Sequence, residues 1–356
     1  MPSVISTAVV QAAEQTAHSS AVRAGGRVIT SIAVGAIARF VECEEVNRLL
    51  MRGTKLLFSC CLWFVLSPIV PAQSPRQPLG ITSSASGIRL TVDEQNDLAA
   101  LRVLLPGQSD FDPGIFVLFP EHVTAREHGK VDSQRLYLFR PGRQSSRPAW
   151  HRSGHAIEYQ AEFPPGVRMV ARATLEEDGV RYRYEFLNRS KIDYEMMQAV
   201  TDPRMVSPYF HDVRLERTYV HHKDGFELLA SETPERLTMP LNRWLPNRYR
   251  VSYTWPVAPD RVAKQEDGVT WYNKSGVVDE PFIATTSTDG KWIMATFSYD
   301  PGNVWVNPEL TCQHADPQVS LPPGQTRSYE LKTLILQGTL EQVLKKVKQQ
   351  RMALRH

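Results

Sequence analysis

The sequence predicts an all-β protein, a large antiparallel two-sheet supersandwich closed by a C-terminal amphipathic helix. Three observations predict it. Apolar and polar residues alternate with period two in many short stretches after Ile88. Asp-Gly and Pro-Gly pairs punctuate those stretches, within a chain of 25 Pro and 20 Gly. Between 88 and 338 no amphipathic helix of three turns stands out, and no repeat of fixed period argues for a propeller or solenoid.

Residues 51–72 come before the strands. Met51-Arg-Gly-Thr-Lys55 is positive, Leu56–Val70 is apolar, and Val70-Pro-Ala72 places small residues before a cut at Gln73. That three-part pattern is an export signal. The apolar run is short for a membrane span and contains Pro68. The expected location is therefore secreted or periplasmic, with no stable membrane anchor once the signal is removed. A signal starting at Met51 makes residues 1–50 an expected non-native upstream extension; a long cytoplasmic tail with 56–70 as an anchor is the alternative. Residues 73–87, rich in Pro, Ser and Gln, read as a flexible leader.

Strands are expected at Ile88–Val92, Gly114–Phe119 and Arg135–Phe139. Ala156–Phe163, Val167–Leu175 and Val180–Phe186 form the clearest group. The last alternates strictly, with Val180, Tyr182, Tyr184 and Phe186 on one face and Arg181, Arg183 and Glu185 on the other. Glu177-Asp178-Gly179 marks the hairpin before it. Further strands are expected at Val213–Val220, Phe226–Leu229, Arg248–Trp255, Val269–Tyr272, Phe282–Thr286, Lys291–Ser298 and Ser328–Gln337. Thr339-Leu-Glu-Gln342 is a capping box opening a helix over 339–356, with Leu340, Val343, Leu344 and Val347 on one stripe.

Charge narrows the function. The net charge is +3, from 41 basic and 38 acidic side chains, too balanced for a nucleic-acid partner. Of four cysteines, Cys43, Cys60 and Cys61 precede the expected cut, leaving Cys312 without an internal disulfide partner and most simply packed. No phosphate-binding, zinc-protease or nucleophile-elbow motif is apparent, so no cofactor and no metal is expected.

The stretch Trp305–Val343 carries the main candidates. His314 and Asp316, two residues apart in a polar loop, would point the same way in an extended chain. They suit acid/base work on a sugar hydroxyl or ligation of an ion; the plainer reading packs His314 under the loop and lets Asp316 cap a turn. Glu309 would partner them, while Trp305 and Asn307 would supply the aromatic face and amide a sugar site needs. Tyr209, His211, Asp212, Arg214 and Arg217 form a second cluster. There, His211 is a proton-transfer candidate and Arg217 a hold for an acidic substituent; a charged strand face is the alternative.

The segment Asn307-Pro308…Cys312-x-His314-Ala-Asp-Pro317, then Leu321-Pro-Pro-Gly-Gln325 and a long strand, resembles the last sheet of galactose mutarotase-like, aldose epimerase-type β-sandwich proteins. Phe186-Leu-Asn-Arg-Ser190 resembles them too. The resemblance implies a carbohydrate partner. The arrangement those epimerases use, a His-bearing strand followed by Phe-Asn with a separate Glu base, is not found; Tyr209-Phe-His-Asp212 is nearest, in another order. The expectation is thus a monomeric exported protein that acts on or binds carbohydrate, its His-Ala-Asp loop lying over a cavity. The alternative is a glycan-binding or scaffold protein without chemistry.

Overall fold

The alternating stretches form strands, and the strands sort into three hydrogen-bonded sheets. The computed structural model describes residues 79–83, 85–93, 98–139, 147–205, 209–229, 249–254, 264–266, 269–273, 278–307 and 310–355, the side chains of 249–273 and Asn307 excepted. Residues 1–78, which hold the expected extension, the expected export signal and the first six residues of the leader, lie outside the described residues, as does Glu309.

The first sheet contains β1 (Gly80–Thr82), β2 (Arg89–Asp93), β3 (Ala100–Leu104), β4 (Ile115–Glu127), β10 (Tyr194–Arg204) and β20 (Val319–Leu321) in that order, with β5 (Gln134–Leu136) paired to β4. The second runs β12 (Gly225–Leu228), β11 (Thr218–His222), β16 (Phe282–Thr286), β17 (Trp292–Ser298), β21 (Thr326–Gln337), β9 (Gly179–Asn188), β8 (Val167–Glu176), β7 (Ala156–Phe163) and β6 (His151–Ser153). A smaller third sheet contains β14 (Lys264–Glu266), β15 (Val269–Asn273), β13 (Tyr249–Thr254), β18 (Asn303–Asn307) and β19 (Cys312–His314). All described pairings are antiparallel except β13 with β15. The all-β expectation therefore holds, with two additions: a third sheet and one parallel pair.

The main core lies between the first two sheets. Leu90, Leu101, Val103, Val117 and Phe119 from the first pack with Tyr159, Met169, Tyr182, Tyr184, Phe186 and Tyr329 from the second. In β9 the predicted face, Val180, Tyr182, Tyr184 and Phe186, is buried, and the intervening charged residues are half-buried. Each such ring contributes about 1.5–3 kcal/mol by leaving water. The tyrosine hydroxyls reach across to the facing backbone. Tyr159 donates to the Phe119 carbonyl at 2.5 Å, and Tyr329 donates to the Ala199 carbonyl at 3.0 Å while accepting from the Ala199 N–H at 2.5 Å. These bonds satisfy polar groups that burial would otherwise strand.

The other side of the second sheet is covered by α1 (Leu340–Gln350). Thr339 and Gln342 cap it reciprocally, as the sequence predicts. Val343, Val347 and the following Leu354 pack on Phe282, Ala295, Phe297 and Leu334. The helix is shorter than 339–356, and Arg351–Leu354 tightens into a 3-10 turn. Beside it Lys332, 1% exposed, donates to Glu176 at 2.5 Å, Asp178 at 2.6 Å and Gln350 at 2.7 Å. Among the described residues, no helix is long and apolar enough to cross a membrane.

Three local expectations change. Residues 213–217, expected as strand, form turns. The Asp212 carboxylate takes the N–H groups of Glu216 and Arg217 and the Thr218 hydroxyl, competing with a ladder. Gly80–Thr82, in the expected leader, pairs with β2. The expected polar loop around His314 contains β18 and β19, with Trp305 opposite His314.

Candidate functional site

β19 places Cys312 and His314 on one face, two residues apart. His314 stacks on Trp305, with ring centroids 3.6 Å apart and planes 8° apart. Its Nδ1 lies 3.2 Å from Asp316 Oδ2, so the predicted pair does form. Asp316 is fixed in turn: its Oδ1 accepts from the Thr201 N–H at 2.8 Å, and its carbonyl accepts from Gln198 Nε2 at 2.9 Å.

The expected position of this loop over a cavity is not what the structure shows. Residues 312–317 are all buried, His314 at 1% and Asp316 at 4% exposure. The third sheet and β10 enclose the pair. Burial pushes the Asp316 carboxyl above its ordinary value, against the opposing hydrogen bond and charge of His314.

β10 supplies residues that sequence reading missed. Asp202, 1% exposed, brings Oδ1 to 3.6 Å from His314 Nε2, and Cys312 Sγ lies 3.1 Å from the same nitrogen. The other Asp202 oxygen accepts from Arg204 Nε at 2.5 Å. Arg204 then reaches Glu121 Oε1 on β4 at 3.2 Å, and Glu121 Oε2 is 3.4 Å from His122 Nδ1. The His122 ring lies 5.5 Å from Tyr137, whose residue is 45% exposed. A continuous series of polar groups thus runs from buried Asp316 to exposed Tyr137.

A bulge builds this arrangement. Val200 pairs with His122 but Asp202 pairs with Leu118, so Phe119, Pro120 and Glu121 together oppose Thr201. Bulges re-aim side chains, and here one brings Glu121 onto Arg204. Burial alone would raise the Glu121 carboxyl, but the His122 hydrogen bond and the Arg204 charge outweigh it and bring it to about 2. Glu121 is therefore an anion and an acceptor at neutral pH, not a proton donor.

The second predicted cluster is dispersed. Arg217 donates to the Thr286 carbonyl and, at 2.6 Å, to the His211 carbonyl, so it braces backbone. Exposed Arg214 pairs with Glu216 at 2.9 Å. His211 is exposed in the turn before β11, and Tyr209 is half-buried against the main core. The Asn307 backbone belongs to β18. Farther along β4 a shallow cavity of about 180 Å³ opens between Glu127, Lys130 and Tyr194, below the roughly 300–1,000 Å³ of ordinary ligand pockets.

No protein-family model matches the chain, and no curated protein matches it. Among solved structures it is similar to a galactose mutarotase related enzyme from Lactobacillus acidophilus, with a TM-score of 0.42, 11% identity, and 74% of this chain and 99% of that one covered. A putative aldose 1-epimerase from Escherichia coli gives a TM-score of 0.37, 10% identity, and 74% and 100% coverage. A C. elegans aldose epimerase homologue gives a TM-score of 0.40, 8% identity, and 74% and 99% coverage. In structure the chain is similar to galactose mutarotase-like and aldose epimerase proteins, at low sequence identity.

Proposed function

We propose that the protein is an exported carbohydrate-binding protein, and that sugar docks at the solvent end of the polar series, on Tyr137, His122, Glu121 and Arg204. The observation that carries this reading is their grouping. An exposed aromatic ring stands 5.5 Å from the His122 ring, and His122 adjoins a half-buried carboxylate–guanidinium pair. A ring face can cover sugar C–H groups, while a fixed anion and cation address its hydroxyls. Residues 51–72 support the exported location.

Binding without turnover is the form we favour. Glu121 stays ionised and has no proton to give at neutral pH, and the His314–Asp316 pair is enclosed. The second reading, acid/base chemistry on the sugar, is favoured by that same pair standing at the inner end of the series, 3.2 Å apart. A glycan array followed by product analysis tests both. The expected result is a bound, chemically unchanged glycan, with affinity lowered about tenfold, near 1.4 kcal/mol, in Tyr137→Ala and in Glu121→Gln. An altered glycan would move the conclusion to the enzymatic reading. No bound glycan, or undiminished binding in both variants, would overturn the proposal.

A further inference from the structure

The inner end of the polar series has a different chemistry from its mouth. Asp202, Cys312 and His314 bring a carboxylate oxygen, a thiol sulfur and an imidazole nitrogen together, all within 4.8 Å of one another. We propose that these three residues bind a divalent metal ion of the zinc class. The inference is independent of the carbohydrate reading and goes beyond it.

Geometry is the first argument. Zinc holds nitrogen at roughly 2.0–2.1 Å and thiolate sulfur at about 2.3 Å, so a tetrahedral angle separates the two by about 3.6 Å. The same construction separates nitrogen and carboxylate oxygen by about 3.4 Å. Here His314 Nε2 is 3.1 Å from Cys312 Sγ and 3.6 Å from Asp202 Oδ1. The two distances from His314 Nε2 need to change by about half an ångström or less, while Cys312 Sγ and Asp202 Oδ1, within 4.8 Å of each other, must come to about 3.6 Å.

Orientation is the second. Asp316 Oδ2 faces His314 Nδ1 at 3.2 Å, and the Thr201 N–H holds Asp316 in place. A proton on Nδ1 leaves the Nε2 lone pair directed at Cys312 and Asp202. A carboxylate behind a histidine in this way is the usual outer support of a metal ligand. Stacking on Trp305 fixes the plane of the ring.

The third argument is an unmet acceptor. Asp202 is 1% exposed, and its Oδ2 is satisfied by Arg204. Its Oδ1 is buried, accepts no hydrogen bond, and is aimed at the His314–Cys312 pair. Buried polar atoms of this kind call for an explanation, and a cation supplies one. One sulfur, one nitrogen and one oxygen donor suit zinc better than calcium or magnesium, which prefer oxygen alone. Three protein ligands would leave a fourth position for water.

The test uses the full chain purified without chelator. Metal content is measured by mass spectrometry, and cobalt(II) is then titrated as a spectroscopic probe. The expected result is one zinc per chain, and a near-ultraviolet thiolate-to-cobalt band that disappears in Cys312→Ser. That loss separates Cys312 from Cys43, Cys60 and Cys61. Asp202→Asn, close in shape, is expected to bind zinc at least about tenfold more weakly while keeping its circular dichroism. It stands in if Cys312→Ser does not fold. Wild-type protein with neither stoichiometric zinc nor the cobalt band would overturn the proposal. So would zinc affinity unchanged in the folded variants.

Discussion

Asp178→Asn tests how the C-terminal helix is held to the sandwich. Asp178 lies in the turn between β8 and β9. Its Oδ1 accepts from Lys332 at 2.6 Å, and its Oδ2 accepts from Lys346 and Gln350, each at 2.8 Å. Partial burial would raise the carboxyl, but the two ammonium groups outweigh it, taking it from 3.8 to about 2. A carboxyl depressed on folding stabilises the protein above its unfolded value and loses that contribution as pH falls through the folded value. The stabilisation is therefore close to full above about pH 5, about 2 kcal/mol, falls to roughly half of that at pH 3 and is mostly gone at pH 2. Asparagine cannot ionise, so the variant lacks this contribution at every pH. Urea unfolding followed by tryptophan fluorescence, on both proteins from pH 3 to pH 6, reads the difference directly. The wild type should lead by about 2 kcal/mol at pH 6, and the lead should roughly halve by pH 3. Equal midpoints at pH 6, or a lead that does not shrink on acidification, would refute the clamp.

Two further outcomes follow from packing. Gly179 has φ +148°, and a Cβ there would lie 2.0 Å from the Thr333 carbonyl oxygen. Gly179→Ala must push β9 from β21 and should cost on the order of 3 kcal/mol, read as a lowered calorimetric Tm; an unchanged Tm would contradict this strand contact. Tyr329→Phe removes both hydrogen bonds to Ala199 and should cost about 2–3 kcal/mol. Hydrogen exchange at the Ala199 amide should accelerate in that variant, and unaltered protection would show that the hydroxyl is not its partner.

Local pattern was enough to read β9 and the helix. Tyr182, Tyr184 and Phe186 alternate without interruption, and Thr339 and Gln342 sit at capping-box spacing. The His314–Asp316 contact was legible for the same reason, since residues two apart share a strand face. Its burial was not legible, because it depends on β10, more than a hundred residues earlier. β10 itself contains Asp202 and Pro203, residue types that argue against a strand, so its reading failed and Asp202 and Arg204 went unseen. Glu121 was missed similarly: a strand expected to stop at Phe119 continues through Pro120 to Glu127. Bulge and pairing bring these groups together, and neither leaves a periodic trace.

The far margin of the nine-stranded sheet has a consequence for self-association. β6 contributes only His151, Arg152 and Ser153, all open to water. Arg152 is turned back onto the carbonyls of Gly154 and Gly80, at 3.0 and 3.3 Å. A foreign chain seeking to extend the sheet there meets three polar residues, one of them carrying a guanidinium, in place of a long apolar ribbon. That margin discourages the edge-to-edge growth that turns exposed sheets into aggregates.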